Sequence, residues 1–233
     1  MNVLSVDTST SVLHIALVTD KGSEERMLKG FLQPSEMLLS EIKELLKRQE
    51  LTFNDLDLLV CTRGPGSFTS LRIGFSTLKG ISLATGKPLV SVPTLRTIAL
   101  AAGHSGLTLT VIDAKKKRYY LGLYSENGDS VTEDIDGNAI DLVDILKDKR
   151  ELFITGPDAT TFAEKLAPLV PNCTITVDST PIRPLGLMMI REGIKQYETV
   201  GADDIGQGPV YIRRSDAEEA LLKRLEEEKK NEK

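Results

Sequence analysis

Shifted by 106 positions, the sequence repeats itself: Asp7 falls on Asp113, Gly22 falls on Gly128, and no gap is needed between them. Ser5-Val6-Asp7 followed by Val12 to Val18 corresponds to Val111-Ile112-Asp113 followed by Arg118 to Tyr124. Leu13, Ile15 and Leu17 share one side of a period-two strand, and Tyr119, Leu121 and Leu123 share the equivalent side. In both copies a strand ends at an Asp, a polar turn follows, and a second strand runs to a Lys-Gly or Asn-Gly turn that opens a third. Such a duplication points to two similar units rather than one continuous core.

Each three-stranded meander feeds a helix, a strand and a second helix. In the first copy these are Pro34 to Glu50, Leu58 to Thr62 and Thr69 to Thr85; in the second they are Ala139 to Asp148, Leu152 to Thr155 and Asp158 to Leu166. The order βββαβα, twice, predicts an α/β fold of two tandem lobes with mixed β-sheets. Leu89 to Val92 and the helix Thr94 to Ala102 read as the connection, and His104-Ser105 between glycines marks the boundary. The expected division is a first lobe of residues 1–104, a smaller second lobe of 105–215 and a charged tail of 216–233. Ser215 and Glu218 have capping-box spacing, which predicts a short surface helix in that tail.

Between the fourth strand and its helix stands Gly64-Pro-Gly-Ser-Phe-Thr-Ser-Leu-Arg-Ile-Gly74. Gly64 and Gly66 allow backbone angles and close approaches that a Cβ would block, Pro65 fixes one φ, and Ser67 or Thr69 can cap the helix. The turn resembles an anion cradle, but Ser67-Phe68 stands where a nucleotide P-loop needs Gly-Lys. A structural turn is therefore the favoured reading of Gly64, Pro65 and Gly66, and Gly156-Pro157 occupies the same place in the second copy.

A net charge of −5 gives no global attraction to nucleic acid, so any RNA contact must be local or made through a partner. Asn2 to Val6 reads as a buried strand rather than a leader, and no apolar run approaches the ~20 residues of a membrane span. A cytoplasmic protein without membrane contact is expected. Cys61 and Cys173 lie in strand-like settings far apart, which favours buried thiols over a disulfide or a metal site.

Asp7-Thr8-Ser9, the glycine turn 64–74, Ile112-Asp113-Ala114-Lys115 and Gly208-Pro-Val-Tyr-Ile-Arg213 together resemble the TsaB (YeaZ) family. The resemblance implies the two-lobed fold of the actin, hexokinase and Hsp70 (ASKHA) class. It also implies a non-catalytic subunit that supports a TsaD-like enzyme, with a TsaE-like ATPase, in forming threonylcarbamoyladenosine in tRNA beside the anticodon. Partners so implied are that enzyme and that ATPase, a second copy of the chain when alone, and tRNA only through the complex. The catalytic TsaD paralogue binds metal through His-x-x-x-His on its first helix; the matching segment Gln33 to Leu39 has no histidine, so no metal and no catalytic residue is expected. Pro34 stands where the family usually has the His of a His-Ser-Glu start, and Ser70 where Gly is commoner.

The partner contact implied by the resemblance falls on the first two helices. Leu38, Ile42 and Leu45 form one apolar row and Leu39 with Leu46 a second. On the next helix Ser70, Gly74, Thr77, Ile81 and Ala84 form a small row beside the bulky Leu71, Phe75 and Leu78. The alternative is that both stripes pack on each other and the sheet. Asp7, Thr8 and Ser9 match the nucleotide turn of the ASKHA class, yet the chain is short for adenine-holding insertions, and the opposite turn is Lys115-Lys116-Lys117-Arg118. No cofactor is expected, with ATP or ADP only weakly bound or held at an assembly interface. His14, inside an apolar strand, reads as a hydrogen-bonded structural residue. The rival functions are an ASKHA phosphotransferase with Asp113 as base and a glycoprotease-like peptidase using Ser105 and His104.

Overall fold

The computed structural model describes residues 1–30, 34–213 and 224. The helix expected from Ser215 and Glu218 and most of the charged tail lie outside the described residues. Among those described, no helix is long and apolar enough to cross a membrane.

The described residues form two five-stranded mixed sheets. The first contains β1 (Val3–Asp7), β2 (Val12–Thr19), β3 (Gly22–Lys29), β4 (Leu58–Thr62) and β5 (Leu89–Val92), in the spatial order β3-β2-β1-β4-β5. The second contains β6 (Thr108–Lys115), β7 (Arg118–Tyr124), β8 (Ile135–Gly137), β9 (Glu151–Thr155) and β10 (Thr174–Val177), in the order β10-β9-β6-β7-β8. In each, the first three strands pair antiparallel and the last two add in parallel. The duplication is therefore one of topology, and it includes β5 and β10. The strand 89–92, expected to be a connection, is the fifth strand of the first sheet.

The repeat slips by one residue where the lobes face each other. Ile15 pairs with Val6, whereas its counterpart Leu121 pairs with Val111. The second strands keep the shift of 106, and the first strands are 105 apart. A β-bulge between Asp113 and Lys115 absorbs the extra residue, Ala114. Asp113 consequently occupies the position of Thr8, not of Asp7.

Alternation along the strands builds two faces per sheet. Leu4, Val6, Leu13, Ile15, Leu17 and Leu59 pack under α1 (Pro34–Arg48) and α2 (Phe68–Thr85). Leu109, Val111, Leu121, Leu123 and Ile154 pack under the short α4 (Val143–Leu146) and α5 (Ala159–Leu166). The other face of each sheet is covered by the other lobe's last helix: α6 (Gly186–Val200) lies on β1, β2, β4 and β5, while α3 (Thr94–Ala102) lies on β6 and β7. Val3, Val60, Val90 and Val92 thus share one core with Leu95, Ile98, Ile112, Tyr120, Met189 and Ile190. This corrects the division at residue 104. Residues 94–102 and 186–200 exchange lobes, because each sheet needs its inward face buried and the nearest amphipathic helix in space comes from the neighbouring repeat.

Candidate functional site

The lobes meet across a cleft of about 880 Å³, within the size range of small-molecule sites. One wall is a row of hydroxyls: Thr8, Ser9, Thr10 and Ser11 from the β1–β2 turn, with Ser67, Thr69 and Ser70 from the start of α2. The other carries Asp113, Lys115 and Lys116 from the β6–β7 turn, Asp158 at the start of α5, and Arg213.

Thr8 and Ser9 line this cleft, whereas Asp7 does not. Asp7 is fully buried, and its Oδ1 accepts hydrogen bonds from the Ser9 amide at 2.8 Å and the Thr62 hydroxyl at 2.7 Å. Among the described residues its Oδ2 has no partner, and neither have Ser9 Oγ nor His14 Nδ1. Burial holds the His14 imidazole below its ordinary pKa, against the opposing pull of Asp7 and Glu25. His14 is thus a core residue, but among the described residues Nδ1 lacks the hydrogen bond expected for it.

Asp113 is engaged on every side. Its amide donates to Asp158 Oδ2 at 2.7 Å, and its carboxylate accepts the Lys115 amide at 2.8 Å and the Lys115 ammonium at 3.0 Å. Partial burial pushes its pKa up, yet the hydrogen bonds and charge of Lys115 outweigh this and hold it below the ordinary value. A carboxylate so stabilised is a poor general base. Lys115, Lys116 and Lys117 all adopt positive φ, at 64°, 54° and 62°, in the tight hairpin. Arg118 turns away to Asp136, bonding its carboxylate through Nε at 2.9 Å.

The peptidase pair does not assemble. The His104 ring stacks on Phe153 at 4.3 Å, and among the described residues no hydrogen bond joins it to Ser105. Among the described residues no three His, Cys, Asp or Glu side chains are grouped to hold a metal. Cys61 and Cys173 are free and buried; burial raises both thiol pKa values, well above the usual value for Cys61.

The glycine turn does mechanical work. Gly64 adopts φ +107°, its carbonyl accepts the Thr94 amide at 3.0 Å, and a Cβ there would meet the Val210 carbonyl oxygen at 2.7 Å. Gly66 lies against the backbone of Ser9, whose carbonyl accepts the Ser67 amide at 2.8 Å. Ser67 stands at the N-cap of α2 without a side-chain capping bond; its Oγ lies 3.0 Å from Ser70 Oγ.

The two partner-helix stripes are placed differently from expectation. Leu38, Ile42, Leu46, Phe75, Leu78 and Ile81 are buried within the first lobe, packed on the sheet and on each other, and Leu71 is buried beside Gly64. Gly74 is buried against Thr8, whose hydroxyl donates to the Ser70 carbonyl at 2.6 Å, so the Ser70–Gly74 row faces the β1–β2 turn and Thr77 is only half-buried. These residues satisfy their own sheet first, and a helix has one face to give it. The outward row of α2 lies one step round: Arg72, Ser76, Gly80, Leu83 and Ala84 are exposed, and so are Met37, Leu39 and Ser40 of α1. Leu39 alone of the expected apolar contacts is exposed, with Leu83 at 65% exposure added to it.

Sequence reasoning assigned no role to Tyr211. It stacks on Phe68 at 4.3 Å with rings 5° apart, and its hydroxyl accepts a hydrogen bond from Arg72 Nε at 2.9 Å. An aromatic just after Gly208-Pro209, in a segment otherwise lacking large rings, was the available signal.

Two repeated lobes with exchanged terminal helices around a polar cleft define a protein of the two-lobed ASKHA class. The YeaZ protein from Pseudomonas aeruginosa superposes with a TM-score of 0.77 at 20% identity, covering 90% of this chain and 99% of that one. An inorganic polyphosphate/ATP-glucomannokinase from Arthrobacter shares the fold more distantly, with a TM-score of 0.50 at 12% identity over 84% of this chain and 99% of the other. The family model described as "TsaD: tRNA N6-adenosine threonylcarbamoyltransferase" matches residues 33–165, more than half the chain. The tRNA threonylcarbamoyladenosine biosynthesis protein TsaB of Bacillus subtilis is 27% identical over 230 residues, spanning 94% of this chain and 96% of the relative. The Escherichia coli protein of the same name is 32% identical over 133 residues, 55% of this chain and 58% of the relative. For several further relatives of that name the match likewise spans about half to three-fifths of their length. The chain belongs to the TsaB (YeaZ) family.

Proposed function

We propose that this chain acts in the biosynthesis of threonylcarbamoyladenosine in tRNA as a non-catalytic subunit that binds and supports a TsaD-like enzyme, together with a TsaE-like ATPase, in the cytoplasm. Membership of the TsaB family supports the pathway. The observation that carries the supporting role is the state of the two acidic residues at the inter-lobe turns: Asp7 is buried against Thr62 and Ser9, and Asp113 is held by Lys115. Asp7 is kept out of the cleft and Asp113, though in its wall, is paired to Lys115, so neither is poised as a base, and the cleft sets a hydroxyl wall against a wall of paired acidic and basic groups.

The partner face in this reading is the outward row of α2 with the exposed edge of α1. Ser76, Gly80 and Ala84 recur every fourth residue and leave room for a second helix to approach closely, with Leu83, Leu39 and Met37 as apolar flanks. When the enzyme is absent, a second copy of the chain covers the same face about a twofold axis. A nucleotide, where one takes part, is held in the assembly rather than by Asp7, Thr8 and Ser9, and tRNA is met through the complex. Reconstitution with purified TsaD and TsaE homologues tests this: modification should require this chain, and equal modification without it would remove the basis of the reading.

A further inference from the structure

The Gly208-Pro-Val-Tyr-Ile-Arg213 segment is the one family-like motif to which the proposed function gives no work. It follows α6 without regular secondary structure and makes a series of directional contacts along the first lobe before crossing to the second. The Asp203 amide donates to the Leu89 carbonyl at 2.9 Å, and the Val210 amide to the Arg63 carbonyl at 2.7 Å. Lys79, on α2, donates to the Ile205 carbonyl at 2.6 Å. Tyr211 then stacks on Phe68 in the first turn of the same helix, and the Arg72 guanidinium lies 5.8 Å from one ring centre and 5.5 Å from the other. Two residues later Arg213 donates to the Ala114 carbonyl of β6 at 3.1 Å and reaches Asp136 of β8 at 3.9 Å, while Ile212 packs on the core shared by the lobes.

We infer that residues 203–213 are a strap that fixes the first turn of α2 against the second lobe, with Tyr211 as a positioning residue for the partner-facing helix. Burial alone does not account for the segment: Val210 remains 46% exposed and Tyr211 38%. What it supplies is a pin on a helix start that has no side-chain cap of its own, and a tether from that pin to the second sheet. The exchanged helices α3 and α6 join the lobes through the core, whereas the strap joins them at the cleft, where Phe68, Arg72 and Arg213 all line the wall. The lobe angle and the pose of α2 are thereby coupled. A partner on the outward row of α2 feels the second lobe through Tyr211, and binding and lobe angle influence each other reciprocally.

The mechanical part of this inference stands on the isolated chain; its consequence for partner binding rests on the subunit reading above. Three full-length variants test it: Tyr211→Ala, Tyr211→Phe and Arg213→Ala. Hydrogen exchange across residues 68–76 reports the pin, and a spin-label distance between Asp20→Cys and Lys147→Cys, one exposed site per lobe, reports the tether. The native thiols are buried and do not compete for the label. For Tyr211→Ala, exchange in the first turns of α2 should rise about tenfold, the distance distribution should broaden, and the Kd for a TsaD homologue should rise about tenfold. Tyr211→Phe keeps the stack and should stay close to the unsubstituted chain in all three, while Arg213→Ala should broaden the distance distribution with less effect on α2 exchange. Unchanged exchange and distance in Tyr211→Ala would overturn the strap. Changed exchange and distance in a chain whose unsubstituted form never binds the homologue would uphold the strap and count against the subunit reading alone.

Discussion

Gly74 and Thr8 are locked together: the backbone of α2 passes so close to the β1–β2 turn that a Cβ on Gly74 would lie closer than 3.0 Å to the Thr8 hydroxyl. The same hydroxyl donates to the Ser70 carbonyl, so helix and turn are joined by contact and by hydrogen bond. Replacing Gly74 with Ala should force the turn or the helix aside. A loss of about 1–3 kcal/mol in urea-denaturation stability is expected, with the Thr8 turn displaced. Stability equal to or above that of the unsubstituted chain would show that the turn yields freely.

Gly80, less than two turns along, has the opposite character. Among the described residues nothing lies within 4 Å of where its Cβ would stand, and it is exposed. A glycine in a helix interior costs roughly 1 kcal/mol relative to Ala. Gly80→Arg should therefore leave the isolated chain folded and slightly more stable, yet weaken pairing by blocking close helix approach. Sedimentation of the variant with a TsaD homologue and by itself reads both effects, and undiminished pairing would move the interface off this row.

The pH response should carry a signature of His14. Its folded pKa lies below its ordinary value because burial penalises the cation. The unfolded chain therefore binds a proton that the folded chain resists, so this contribution is intact above about pH 6.5 and is lost as pH falls from there toward the folded pKa. Urea midpoints measured from pH 7.5 down to 5.5 should fall more steeply for the native chain than for His14→Gln. Parallel profiles would mean the imidazole titrates alike in both states.

The hairpin tip offers a stabilising change. Lys117 holds φ +62° and an exposed side chain, a backbone region that costs a residue with a Cβ about 1 kcal/mol or more relative to glycine. Lys117→Gly should recover about 0.5–1 kcal/mol in thermal or urea denaturation, since glycine is suited to this turn position. A loss of stability would show that the lysine side chain makes a contact worth more than the strain.

Much of the architecture was legible because it is written in periodicity. Alternating Leu13, Ile15 and Leu17 with their counterparts Tyr119, Leu121 and Leu123 announce the repeated meander, and the two Gly-Pro turns mark equivalent strand-to-helix junctions, with φ +107° at Gly64 and +103° at Gly156. The exchange of α3 and α6 was not legible. An amphipathic helix declares that it covers a sheet, and Leu95, Ile98, Met189 and Ile190 do so, but sequence does not say whose sheet. The bulge at Ala114 was hidden for a related reason: a gapless sequence match concealed a one-residue slip that put Asp113 at Thr8's place. On α2 the small and bulky rows were both readable, but their assignment depended on how near the Thr8 turn comes, and that distance belongs to tertiary structure.

As proposed, this chain supports a threonylcarbamoyl transfer that it does not itself perform. The direct test is the yield of threonylcarbamoyladenosine in tRNA from purified TsaD and TsaE homologues with threonylcarbamoyl-adenylate, measured with the native chain, with Asp113→Asn and with no chain. Product is expected with the native chain, nearly the same yield with Asp113→Asn, and little or none when the chain is absent. Equal yield without the chain, or product abolished by Asp113→Asn in a chain that still binds its partner, would contradict the proposal.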